Sequence, residues 1–75
     1  MRYRPDLVLL PDREAADVLG VSVARMQRWR WEGQGPAYVR VGGPRGRAVR
    51  YRLCDLEAWI EDNRVDPVEA AGANK

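Results

Sequence analysis

Histidine, threonine and phenylalanine are absent from this chain of 75 residues, and serine and cysteine occur once each, as Ser22 and Cys54. Those gaps remove whole classes of function. A lone cysteine forms no intramolecular disulfide, and without histidine it cannot complete the usual zinc sites. The pairs that activate a nucleophile, Ser–His and Cys–His above all, are missing as well. Asp55 and Glu57 stand two residues apart at the start of a helical pattern, where they do not face each other as an acid and base would. The run Gly42-Gly43-Pro44-Arg45-Gly46 lacks the Lys–Ser/Thr pair of a phosphate-binding loop. The reading is a non-enzyme with no metal and no cofactor. No apolar run is long enough to span a bilayer, and no basic segment leads into an apolar stretch as in a signal peptide. A reducing, cytoplasmic setting without a membrane partner is therefore expected.

Lysine is nearly missing too, with Lys75 set against twelve arginines. The net charge of +2 hides a division along the chain. Residues 1–52 carry eleven arginines against five acids, a balance of +6, while residues 53–75 carry one arginine and one lysine against six acids, a balance of −4. Arginine's planar fork binds phosphate or guanine bidentately, which lysine cannot do. Clustered arginine on a small domain is an electrostatic footprint of nucleic-acid binding.

The length fits one domain, expected over residues 1–63, with a flexible tail over 64–75 where Pro67, Gly72 and small residues collect. Leu9 and Leu10 are placed to pack over the start of a first helix, as a hydrophobic staple does. That helix is predicted over about Asp12 to Leu19, with Ala15, Ala16, Val18 and Leu19 as its apolar face. Gly20 ends it and Ser22 caps the next. The second helix is predicted over about Val23 to Glu32, with Val23, Met26 and Trp29 on one side and Arg30 at the margin. Ala24, Gln27, Arg28 and Trp31 fall on the opposite side, flanked by Arg25 and Glu32. Ala37 to Val41 and Ala48 to Arg52 alternate apolar and polar residues, predicting a two-stranded hairpin about a glycine-rich loop. A third helix is predicted over about Cys54 to Asn63, with Leu56, Trp59 and Ile60 as a buried stripe.

Ala15 to Trp31 has the form of a helix-turn-helix, in which a small residue, Ala16, stands four before the turn glycine. Ser22, Ala24, Arg25, Gln27, Arg28 and Trp31 are then the candidates for a major groove. Arginine pairs with guanine and glutamine with adenine, and Ser22 offers its backbone N–H to a phosphate. The hairpin strengthens the reading, since residues 37–52 hold Arg40, Arg45, Arg47, Arg50 and Arg52 with no acid. Arg45 and Arg47 sit at a tip narrow enough for a minor groove, with Arg40 and Arg50 in the flanking strands. A plain solvated hairpin would serve as well with lysine and glutamate. Trp31 points away from the buried face of its helix and is expected to pack under the hairpin, ahead of two alternatives, contact with DNA sugar–phosphate or with another subunit.

The order of motifs resembles the MerR-like winged-helix domains, and within them the short phage excisionases and AlpA-like regulators. It runs Leu9-Leu10, Arg13-Glu14-Ala15-Ala16, Leu19-Gly20-Val21-Ser22, Trp29, Gly33-Gln34-Gly35-Pro36, Arg50-Tyr51-Arg52 and Asp55-Leu56-Glu57-Ala58-Trp59-Ile60. The resemblance covers about residues 7–62 and implies an α+β winged helix-turn-helix. Two departures concern capping: Pro11 stands where the family often has Ser or Thr, so Asp12 is expected to share that role, and Cys54 lies near where the family often has Ser. The chain has no room for the long dimerisation helix of MerR-type regulators, which favours the excisionases, or recombination directionality factors. These imply a DNA-bending protein of a bacterial host's nucleoid, assembling cooperatively on double-stranded DNA near an attachment site and directing phage integrase toward excision. An AlpA-like transcriptional regulator using the same surfaces is the alternative. A third reading, of another class, is an integrase-binding adaptor without DNA contacts of its own.

Overall fold

The structure is a computed structural model that describes residues 7–67. The first six residues and most of the expected tail lie outside the described residues.

Helices α1 (Asp12–Leu19) and α2 (Val23–Glu32) have the bounds their apolar spacing predicts. Both end in the same way, on a glycine in the left-handed region, Gly20 at φ 69° and Gly33 at φ 71°. That turn lets the next residue reach back, so Val21 N donates to Ala16 O at 3.0 Å and Gln34 N to Trp29 O at 2.7 Å. Carbonyls otherwise orphaned at each helix end are thereby satisfied. At the start of α2, the Ser22 hydroxyl accepts from Arg25 N at 3.1 Å, the expected cap. The start of α1 differs from expectation. Pro11 is its N-cap and no side chain caps it, because the Asp12 carboxylate is directed to another helix.

Strands β2 (Val39–Val41) and β3 (Ala48–Arg52) form the hairpin, pairing Val39 with Arg50, Arg40 with Val49 and Val41 with Ala48. Ala37 and Tyr38 lie before the first strand, which is shorter than the sequence suggests. The hairpin is also not alone. Leu9–Leu10, β1, pairs with the other edge of β3, and Leu53 N donates to Val8 O at 2.9 Å beyond it. The sheet therefore has three antiparallel strands in the order β1-β3-β2. Two residues are too few to show a period of two, so alternation could not reveal β1. Helix α3 (Leu53–Asp62) follows β3 without a loop and lies one residue earlier at each end than predicted.

The core draws Ala15 and Ala16 from α1, Met26 from α2, Tyr51 from β3 and Leu56 from α3. Leu10, Leu19, Val21, Trp29, Tyr38, Val49 and Leu53 pack around them. Trp29 and Trp59 meet at the edge of this core with ring centroids 5.1 Å apart. Gly35 passes so close that a Cβ there would lie 2.9 Å from the Trp29 Cβ. The predicted stripes extend past what one small core covers: Val23, Val18 and Ile60 remain 36%, 46% and 43% exposed. Small domains leave such margins in water because surface outgrows interior. The whole is the winged helix-turn-helix expected from the sequence.

Candidate nucleic-acid interface

Residues placed opposite Met26 on α2 have no protein to pack against, and the structure leaves Ala24, Arg25, Gln27, Arg28 and Trp31 exposed. Ser22, Ala24, Arg25 and Arg28 line a shallow depression at the start of the helix. The guanidinium of Arg25 lies 6.0 Å from the Trp29 ring, which restrains it along the helix. Arg28 reaches Glu32 one turn on, at 3.3 Å, an exposed contact that holds the side chain weakly. Of the predicted groove residues, this end of the helix gathers four.

Gln27 and Trp31 belong to a second group. With Tyr38, Arg40, Arg47, Val49 and Arg30 they line a cleft of about 350 Å3 where the helix meets the wing. Register explains the arginine. Arg40 pairs with Val49, which packs on the core, so both stand on the sheet face turned to α2. Arg50 pairs with Val39 on the other face, where its guanidinium donates to the Val49 carbonyl at 2.8 Å. Arg45 is exposed at the tip of the wing. The four predicted wing residues are thus divided: Arg40 and Arg47 beside α2, Arg45 at the tip, Arg50 on the far face.

Trp31 departs from expectation. It is not packed under the wing but 91% exposed at the rim of the cleft. The place it was expected to fill is taken by Tyr38, whose ring lies 6.1 Å from that of Tyr51 and carries the guanidiniums of Arg30 and Arg40 at 5.7 and 5.9 Å.

Arg30 holds this arrangement together. Its Nη1 and Nη2 donate to the two Asp12 carboxylate oxygens at 2.6 and 3.1 Å, and Nη1 also donates to the Tyr51 hydroxyl at 2.9 Å. One partly buried guanidinium therefore ties α1, α2 and β3 at the junction of the helix and the wing. The hydrogen bond from Arg30 to Asp12 raises the Arg30 pKa beyond its ordinary value, against the opposing cost of burial. Burial likewise pushes the Tyr51 phenol up, with Arg30 pulling the other way. Neither Arg30 nor Tyr38 stood out in the sequence as part of the site. The available signal was an arginine at the margin of a buried helix face, with an acid at the start of the preceding helix.

Arg52 is bound to Asp55 at 2.8 and 2.9 Å, so its charge is partly neutralised locally. Among the described residues, Arg25, Arg40, Arg45 and Arg47 form no ion pair with an acid, and no group of side chains could hold a metal ion. No helix among the described residues is long and apolar enough to cross a membrane.

An exposed polar helix face beside an arginine wing is a surface whose charge suits a polyanion. The sequence model of a family described as "Helix-turn-helix domain" matches residues 12–64, from α1 to just past α3. The chain belongs to that family of DNA-binding domains. This helix-turn-helix domain is also 38% identical over 72 residues to the transcriptional repressor DcmR of Methylorubrum extorquens, covering 96% of the chain and 26% of the repressor. The domain thus spans about a quarter of the length of that relative. No solved structure matches it.

Proposed function

We propose that this helix-turn-helix domain binds duplex DNA sequence-specifically, with α2 in the major groove and the wing in the adjacent minor groove. The observation that carries the reading is the placement of the two arginine groups on one side of the molecule. Arg25 and Arg28 lie on the outer face of α2, and Arg40 and Arg47 stand across a cleft from its last turn. Arg28 and Gln27 are the base readers, since each can make a bidentate pair with guanine or adenine. Ser22 and Arg25, at the helix start, hold phosphate. Arg45 enters the minor groove and favours a bent duplex. Arg50, on the far sheet face, contributes through general charge. Residues 1–63 act as the binding unit, with 64–75 as an appended tail.

The cellular role has two readings on this same surface. The likeness to a transcriptional repressor favours a regulator that acts by occupying an operator. The order of motifs shared with phage excisionases favours an architectural role, with copies assembling beside an attachment site and integrase as the partner on the nucleoid.

A duplex selected by the protein from a random-sequence pool tests the reading. Arg28→Ala should reduce the preference for the selected duplex over a scrambled one by about tenfold or more. Arg45→Ala should weaken binding to both duplexes and diminish bending in a permutation assay. Equal, sequence-independent losses from both variants would contradict this division. Footprints at a promoter or beside an attachment site then separate the two roles.

A further inference from the structure

Among the described residues, Trp31 has no ring or cation partner. Trp29 and Trp59 lie against each other at the core, whereas Trp31 leaves 91% of its surface in water at the rim of the cleft between α2 and the wing. Single exposed apolar residues are common and need no function. What surrounds this one sets it apart. Across the cleft stand Arg40, held against the Tyr38 ring, and Arg47, neither with an acid partner among the described residues. Gln27, one turn back from Trp31, adds an amide, and among the described residues no carboxylate lines the cleft. Arg30, also in the lining, directs its charge to Asp12 and leaves the approach to the other two arginines.

A flat apolar ring facing two unneutralised cations matches a chain that alternates apolar sugars with anionic phosphates. Resting on the DNA-binding reading above, we propose that Trp31, Arg40 and Arg47 form a saddle for one DNA strand's sugar–phosphate backbone. The strand crosses the cleft between the groove read by α2 and the groove entered by the wing. The indole lies against deoxyribose, and the two guanidiniums hold the flanking phosphates. Trp31 is then a positioning residue: it fixes the depth of the helix in the groove and reads no base. An apolar protein surface is the poorer match for this cleft, because it would leave both arginines desolvated and unpaired.

The test compares wild type, Trp31→Ala, Trp31→Phe and Arg47→Ala, using the pool-selected duplex and a scrambled duplex of equal length. Trp31 is so exposed that its replacement leaves the fold intact, which circular dichroism checks. Trp31→Ala should weaken binding to both duplexes alike, by about tenfold, while Trp31→Phe keeps most of the affinity. Arg47→Ala should lower the salt slope of binding by about 0.9, the value for one phosphate contact. Acrylamide quenching of the Trp31 emission, taken as the difference between wild type and Trp31→Ala, should fall when either duplex binds. If wild type binds DNA while Trp31 stays quenchable and Trp31→Ala binds equally well, the saddle is wrong and DNA binding stands. A loss confined to the selected duplex makes Trp31 a base reader and also overturns the saddle. No binding of wild type to any duplex overturns both readings.

Discussion

Asp12 shows how a residue suited to one task is used for another. At the first turn of a helix an aspartate normally complements the dipole or caps the N–H groups. Here it binds Arg30 of α2 through both oxygens, with about a fifth of each side chain exposed. An arginine so placed is costly to leave alone, because its desolvation is offset chiefly by these bonds, with the Tyr51 hydroxyl and the Tyr38 ring adding to them. Asp12→Ala should therefore destabilise the domain by about 2 kcal/mol, a fall of roughly 10 °C in Tm for a chain of this size. The control is Arg30→Met, which removes the charge and keeps an apolar stem. In that background Asp12→Ala should cost only a few tenths of a kcal/mol, from the helix dipole alone. An equal cost in both backgrounds, measured by thermal melts of the double-mutant cycle, would show that the pair does not hold the helix to the sheet.

Among elements, the wing depends on a tight loop at least as much as on its strands. Its connection over residues 42–47 turns on Gly42 and Gly43 at φ 104° and 81°, and closes with Gly46 N donating to Gly43 O at 2.8 Å. A Cβ on Gly46 would run into the Val41 carbonyl oxygen and the Gly42 backbone, so the loop can close this way only around glycine. Gly46→Ala should force the tip open and displace Arg45 and Arg47, while α1, α2 and α3, anchored in the core through Ala15, Ala16, Met26 and Leu56, keep their packing. Binding to the selected duplex should weaken about tenfold or more, with helical circular dichroism unchanged. Wild-type affinity in this variant would mean that the shape of the tip is irrelevant to DNA. The hairpin itself was legible in the sequence, as were α1, α2 and the cap on Ser22, because each carries a local signal: a period, a glycine or a hydroxyl at the right offset. What was not legible depends on contacts distant in sequence. The pairing of β1 with β3, the reach of Asp12 to Arg30, and the occupation of the space under the wing by Tyr38 instead of Trp31 leave no periodic trace. The exposure of the candidate residues on α2 followed from helical geometry. The division of the wing arginines between two sheet faces required the register of β2 on β3.

At the scale of the molecule, charge decides how the domain meets DNA. The acids concentrated in residues 53–75 place Glu57, Glu61 and Asp62 on α3, exposed and on a different element from the arginine surface. A duplex is thus attracted to one side and repelled from another, which favours a single docking orientation and a fast encounter. Arg25, Arg40, Arg45 and Arg47 lack acid partners among the described residues, and Arg28 is held only by an exposed contact to Glu32. If these five arginines meet five phosphates or the base edges beside them, counterion release fixes the salt dependence. The logarithm of the binding constant should then fall with the logarithm of salt at a slope of about −4 to −5. Replacing Glu57 and Glu61 with glutamine should raise the association rate at low salt and leave that slope unchanged, because neither residue touches the duplex in the proposed docking. A slope near −1, or one that changes with the α3 substitutions, would place the DNA on a different surface from α2 and the wing.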